Sequence, residues 1–320
     1  MSLFDLSPKI KTRLNVLPEN PESDDPEKAV GPGRFPSWLH RPLPKGRGLA
    51  DTHLSVNSKG LNTVCVEANC PNLLECWSKK TATFLILGKA CTRSCGFCDI
   101  DHSKTPPKVE EDEPARVAES VIELGLKHVV ITMVARDDLE DGGANHLKKV
   151  VDEIRIRCPE TSIETLSSDF LGNRDAWKIL IEANPEIFNY NIETIKRLTP
   201  RVRNKATYER TLEFLNFIAK EKKGGLIKSG LMVGLGETDE EVIHSMKELK
   251  EAGVDIVTIG QYLQPNRFKL RVKRFVTPET FDYYKREGEK LGLMHVYAGP
   301  FVRSSYNANL IIKQFNINSL

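Results

Sequence analysis

The chain has 320 residues, with 46 Lys and Arg against 44 Asp and Glu and a formal net charge of +2. So small a net charge argues against nucleic acid as a partner, and no apolar run approaches the roughly 18 residues of a membrane span. With 40% hydrophobic and 28% charged residues the composition is that of a globular protein with a substantial core, either one domain of α/β-barrel size or two small ones. The first residues lack the long apolar stretch of a secretory signal. Asp5, Glu19, Glu22, Asp24, Asp25 and Glu27 are too acidic for a transit peptide, so the expected location is the bacterial cytoplasm. Seven cysteines, an odd number in such a chain, suit ligands better than disulfides.

Residues 1–45 hold eight of the 18 prolines and little periodicity, which predicts an extended, partly disordered arm. Trp38 and Leu39 are where it is expected to grip the body. An N-terminal extension over 46–80 follows, carrying Cys65, Cys70 and Cys76 at C-x4-C-x5-C. Three thiols within a turn or two of chain are either buried structural cysteines or ligands whose fourth partner lies elsewhere.

Strand and helix signals alternate over 81–276. Thr81 to Gly88 is a short apolar run ending in glycine, a strand signal. It runs into Cys91-Thr92-Arg93-Ser94-Cys95-Gly96-Phe97-Cys98, where C-x3-C-x2-C supplies three thiolates from one tight loop. Zinc could take Cys95, Cys98 and His102 as part of a tetrahedral site. The C-x2-C-x2-C-x3-C-P run of a ferredoxin is absent. A four-iron cube held by three thiolates keeps one iron open to a chelating cofactor, which a pure electron carrier does not need.

A helix is predicted from Glu113-Pro114, with Ala118, Val121 and Ile122 on its inner face. His128 to Val134 is the second strand, and Gly142-Gly143 leads to a helix burying Leu147, Val150, Val151 and Ile154. Strands three and four are Thr161 to Ser167 and Ile187 to Glu193. A helix over 210–222 places Leu212, Phe214, Leu215 and Ile218 inward. Ile227 to Gly234 is strand five, Thr238 to Glu241 a capping box, Val254 to Tyr262 strand six, and Thr277-Pro278 the start of another helix. Six β-then-α units predict a parallel sheet with right-handed crossovers, short of the eight that close a barrel. The fold class is therefore α/β, a partial (β/α)6 TIM-like barrel with N-terminal and C-terminal extensions, the latter over 277–320.

The spacing of Cys91, Cys95 and Cys98, with the aromatic Phe97 before the third cysteine, resembles the radical S-adenosylmethionine (SAM) superfamily. That resemblance implies an open three-quarter barrel, SAM chelated to the open iron, and its cleavage to methionine and a 5′-deoxyadenosyl radical. With C-x4-C-x5-C upstream and Arg303-Ser304-Ser305-Tyr306 near the C-terminus, the chain is similar to the lipoyl synthases over about residues 40–310. The resemblance implies two 4Fe-4S clusters, one binding SAM and one held by Cys65, Cys70, Cys76 and Ser305 that donates sulfur. Arg303 and Ser305 are its catalytic candidates. The implied reaction inserts two sulfur atoms at C6 and C8 of an octanoyl chain on a lysine. The implied carriers are lipoyl domains of 2-oxoacid dehydrogenase E2 subunits and the glycine-cleavage H protein. A ferredoxin- or flavodoxin-type reductant and an iron–sulfur carrier protein that rebuilds the donor are implied as further partners.

SAM contacts are expected from Phe97, from Thr132 and Asp137 after strand two, and from Glu164, Asn191 and Glu193 at the ends of strands three and four, where carboxylates and amides suit hydroxyl recognition. Arg136-Asp137-Asp138-Leu139 matches a stretch of the lipoyl synthases; its plainer reading is an acidic loop, and that of Glu164, Asn191 and Glu193 is strand-end solvation. Gly234-x-Gly236 alone is a weak phosphate motif and reads as a strand end close to cofactor. Cys158 is a bystander. Arg267 to Arg274 alternates cations with Phe268, Leu270 and Val272, either an edge docking an acidic carrier or charge that protects a strand edge. Two rival functions stand beside this one: a methylthiotransferase, which would carry its extra cysteines in a separate domain, and a non-catalytic electron carrier or zinc-stabilised module.

Overall fold

Thr83–Ile86 (β2) is buried at every position and lies next to one edge of an eight-stranded sheet. This computed structural model describes residues 35–40, 48–79 and 81–305. The sheet order is β1 (Asn62–Thr63), β2, β5 (His128–Met133), β6 (Ser162–Leu166), β7 (Ile187–Asn189), β8 (Leu226–Val233), β9 (Ile256–Gln261) and β10 (His295–Gly299). All neighbours run parallel except β1, which pairs antiparallel with β2. Ala90–Cys91 (β3) and Asp101–His102 (β4) form a separate parallel pair at the base of the cysteine loop.

The six predicted strands are all present, and β10 adds a seventh parallel strand. Sequence pattern passes over it because only Val296 in His-Val-Tyr-Ala-Gly is fully buried. An edge strand buried on one side carries little apolar signal.

Helices α4 (Glu113–Leu124), α5 (Ala144–Arg157), α6 (Arg174–Ala183), α8 (Tyr208–Glu221), α9 (Asp239–Glu251) and α10 (Pro278–Lys290) return the chain between strands. Short helices α1 (Gly48–Ser58), α2 (Val64–Glu67) and α3 (Leu73–Ser78) precede the barrel, and α7 (Thr199–Val202) follows β7. The capping box at Thr238 and Glu241 is formed, and Thr277 caps α10 ahead of Pro278. On α4 the inner face is Val117, Ala118, Val121 and Leu124, whereas Ile122 is 53% exposed. At about 100° per residue, one step beyond Val121 leaves the buried stripe. Leu212 on α8 is half-buried, beside the buried Phe214, Leu215 and Ile218.

Inside the barrel lies a buried polar layer. Lys228 Nζ sits 3.0 Å from both carboxylate oxygens of Glu164, and Asn189 Nδ2 donates to Glu164 Oε1 at 2.6 Å. Leu39 is buried, Trp38 half-buried, and Phe35 meets Phe275 edge-on at 5.8 Å, so the expected grip falls on this segment. The rest of the predicted arm lies outside the described residues. Among those described, no helix is long and apolar enough to cross a membrane.

Candidate active site

The C-terminal ends of the parallel strands open on a cavity of about 1230 Å³. That exceeds the roughly 300–1,000 Å³ of an ordinary small-molecule site, so it has room for more than one group. Thr132 (β5), Ser167 (after β6), Asn191 and Glu193 (after β7), Gly230 (β8) and Gln261 (β9) contribute to its wall. Cys91 and Cys98 face it from one loop and Cys70 from another; Arg303, Ser304 and Ser305 also line it.

The loop of Cys91, Cys95 and Cys98 is held from several strand ends. Thr92 donates its amide and its hydroxyl to Ala135 O, both at 2.9 Å, and accepts from Asp137 N at 3.0 Å. Buried Arg93 stands between two carboxylates, 2.8 Å from Asp137 Oδ1 and 2.7 Å from Asp169 Oδ1. Gly96 donates to Val202 O at 2.9 Å and accepts from Leu270 N at 3.0 Å. A Cβ there would meet the Leu270 side chain at 3.0 Å and Arg201 O at 3.2 Å, so a larger residue would press on both. Asn204 N points at Cys95 Sγ from 3.4 Å. Burial pushes the Cys98 thiol up to about 12, with Cys95 and Cys91 adding to the rise, and burial likewise raises Cys95. Cys98 thus feels both of the other thiols in its trio.

The second trio is built on two short helices. Cys65 lies in α2, whose first turn is capped by Thr63 Oγ1 accepting from Val66 N. Cys70 follows the turn at Asn69, whose φ of 51° is in the left-handed region that asparagine tolerates. Cys76 lies in α3. Burial, then the charge of Cys70, pushes both Cys65 and Cys76 up to about 12. All seven cysteines are free thiols. Among the described residues, no three His, Cys, Asp or Glu side chains converge as one metal ion requires.

The C-terminal segment meets this trio after β10. Buried Asn72 donates its side-chain amide to Phe301 O at 2.8 Å. Gly260 of β9 lies so close beneath that a Cβ would stand 2.0 Å from Val302 O. Ser305 is thereby brought to the cavity that Cys70 faces. Tyr306 lies outside the described residues.

The family model for the radical SAM superfamily matches residues 85–249. A lipoyl synthase of Protochlamydia amoebophila is 59% identical over 98% of this chain and 97% of its own length. The chain belongs to the lipoyl synthase family. The lipoyl synthase of Chlamydia muridarum is 52% identical over 93% of this chain and 96% of its own. Among solved structures, HydG, a maturase of the [FeFe]-hydrogenase, superposes with a TM-score of 0.53 at 15% identity, over 79% of this chain and 63% of its own. SuiB of Streptococcus suis bound to its precursor peptide SuiA gives 0.52 at 12%, over 71% and 52%. These two show the α/β radical SAM fold alone.

The structure does not bring all the expected contacts of this lipoyl synthase family member to the cavity. Phe97, Thr132, Asn191 and Glu193 line it. Asp137 is turned to Arg93 and Lys205 instead; burial would raise its carboxyl, but these cations hold it below the usual range. Glu164 lies deeper in the barrel, where burial is outweighed by Lys228 and His128 and the carboxyl is likewise depressed. Glu193 is the opposite case: burial raises it, with Arg203 only partly offsetting. Its φ of 67° is strained for a non-glycine residue and is held by backbone bonds to Gly230 and Met232, both 2.9 Å.

Sequence reading missed Ser167 and Gln264. Both residues line the cavity, and Ser167 Oγ, Asn191 Oδ1 and Gln264 Oε1 are buried atoms without a hydrogen-bond partner among the described residues. Ser167 directly ends the third strand, three residues past Glu164, and only register and depth reveal which of the two faces the opening.

Proposed function

We propose that this cavity inserts two sulfur atoms, at C6 and C8, into an octanoyl chain borne on a protein lysine. Cys91, Cys95 and Cys98 hold a SAM-binding 4Fe-4S cluster, and Cys65, Cys70, Cys76 and Ser305 hold a second one. The observation carrying this reading is that a single cavity is faced by Cys91 and Cys98, by Cys70 and by Ser305. When bound, the clusters and SAM supply the electron, the hydrogen-abstracting radical and the sulfur.

The donor set suits these groups. Three thiols per site leave a corner for a chelating cofactor in one case and for a serine oxygen in the other. Ser167 Oγ, Asn191 Oδ1 and Gln264 Oε1 are desolvated polar atoms whose burial costs about 1–3 kcal/mol each unless a ligand satisfies them. Glu193 and Asn191 would offer a carboxyl and an amide to SAM's amino and hydroxyl groups, and Thr132 and Phe97 would complete the wall. Arg303 lies on the Ser305 segment and positions it. Asp137 and Glu164 serve SAM through the elements they anchor.

The substrates are octanoylated lipoyl domains and the H protein. A ferredoxin- or flavodoxin-type protein supplies electrons and an iron–sulfur carrier rebuilds the donor, in the cytoplasm. Anaerobic reconstitution with iron, sulfide, SAM and an octanoyl-lysine peptide tests the reading. Lipoyl product and about eight irons per chain are the expected result. Zinc alone, or no SAM cleavage by the reduced protein, would refute it.

A further inference from the structure

Asp99 follows Cys98 directly and faces the cavity. Its two carboxylate oxygens are divided between two side-chain amides. Oδ2 accepts from Asn69, the residue before Cys70, and Oδ1 accepts from Asn266 in the turn after β9. Asn266 is itself held, its Oδ1 accepting from Phe268 N at 2.8 Å and its carbonyl accepting from Gln264 Nε2 at 2.9 Å. Three wall segments therefore meet at one carboxylate: the first cysteine loop, the second cysteine loop and the turn at the cavity rim.

We propose that Asp99 is the positioning residue that fixes the distance between the two cysteine loops, and hence between the two clusters that the function above assigns to them. Hydrogen bonds to a carboxylate are about twice as strong as neutral ones. Asn69 stands in a left-handed turn that already orients its amide. The spacing matters because a reaction shared by two centres is sensitive to placement, and an error of about 1 Å can cost about a hundredfold in rate. A loose tie would leave radical formation intact but separate it from sulfur insertion. The role is one of spacing, not of ligation or proton transfer.

A charge-and-amide swap tests this. Asp99→Asn leaves one acceptor oxygen for the two amides of Asn69 and Asn266 and sets its own amide hydrogens against the other, and Asn69→Asp sets two carboxylates against each other; the double variant restores a donor–acceptor pair at 69 with the roles exchanged and leaves the remaining oxygen for Asn266. The first readout uses metal-free full-length protein. Cys70 and Cys98 are joined by a short bifunctional maleimide, and the linked peptides are quantified by mass. Each single variant is expected to lower the yield several-fold, and the double variant to recover it. The second readout uses reconstituted enzyme. Asp99→Asn is expected to form 5′-deoxyadenosine within about twofold of wild type yet give about tenfold less lipoyl product per SAM cleaved, about 1.4 kcal/mol of lost coupling. Asn69→Asp is expected to restore most of it in the double variant. Wild-type cross-linking in Asp99→Asn and Asp99→Ala would overturn the proposal. So would a defect that the swap fails to repair, since Asp99 would then serve its own loop alone. Because cross-linking is read without metal, its failure is distinct from failure of the two-cluster reading, which the iron count decides.

Discussion

Arg93 is the residue through which the Arg-Asp-Asp-Leu stretch enters the chemistry. It is buried with Asp137 and Asp169 on either side, so its loop is fixed by charge as well as by backbone. Removing one partner of a buried pair costs about 3–5 kcal/mol when the other charge is stranded; without Asp137, Arg93 keeps Asp169, so the cost is smaller but the clamp becomes one-sided. Asp137→Ala is therefore expected to lose the iron held by Cys91, Cys95 and Cys98 while keeping that held by Cys65, Cys70 and Cys76. Mössbauer spectra of the reconstituted variant read the two separately, and unchanged spectra would refute the anchoring role. The same logic applies to Lys228, whose loss strands Glu164. Its carboxyl is depressed in the fold, so its stabilising contribution is present above the unfolded value and is lost as pH falls through the folded one. Lys228→Met is expected to unfold at lower urea than wild type at pH 7, by about 3–5 kcal/mol. The gap should narrow toward pH 4–5, as the stranded carboxyl takes a proton. A gap independent of pH would contradict this.

Among the elements, β10 decides where the serine goes. It lies parallel to β9, with Gly299 opposite Gly260, and delivers 301–305 across the sheet end onto Asn72. Gly260→Ala would drive a methyl group against Val302 O, and backbone cannot yield as a flexible side chain does. The expected result is faster hydrogen exchange over 300–305 and loss of iron from the second site. 5′-Deoxyadenosine formation should stay within about twofold, small beside the tenfold of one 1.4 kcal/mol interaction. Ser305→Ala should lower that iron without the change in exchange, which separates the seat from the ligand. Normal exchange in Gly260→Ala would rule the seat out.

Across the whole molecule, the basic segment after β9 borders the cavity. It is a turn at 266–269 rather than a continuous extended edge, so Phe268 is not inward but 81% exposed, with the Arg267 guanidinium 4.8 Å from its ring centroid. Beyond the turn Val272 is buried, with Arg271 and Lys273 outward, as the alternation predicts. Arg267, Phe268 and Arg271 line the opening through which an octanoyl chain would enter. We propose that an acidic carrier docks here. Exposed charges are screened over about 8 Å at physiological salt, so the rate on a whole carrier should fall with ionic strength while that on a short peptide should not. Lys269→Glu with Lys273→Glu is expected to slow turnover of the carrier about tenfold at low salt, chiefly through association. Equal rates for wild type and variant would leave these cations only the task of guarding the surface.

Short-range pattern was enough to specify the parts. Two cysteine trios, the six barrel strands, the Thr238 capping box and the proline-led helices α4 and α10 are all written within a few residues of themselves. Which of these meet depends on the fold. Asp137 and Glu164 have the chemistry of cofactor ligands, but their partners Arg93 and Lys228 lie 44 and 64 positions away. Asn72 reaches Phe301 across 229 positions and Asp99 reaches Asn266 across 167. A buried charge or amide takes whichever partner the fold brings within hydrogen-bond reach. Chain separation carries no trace of that choice until the strands are in register.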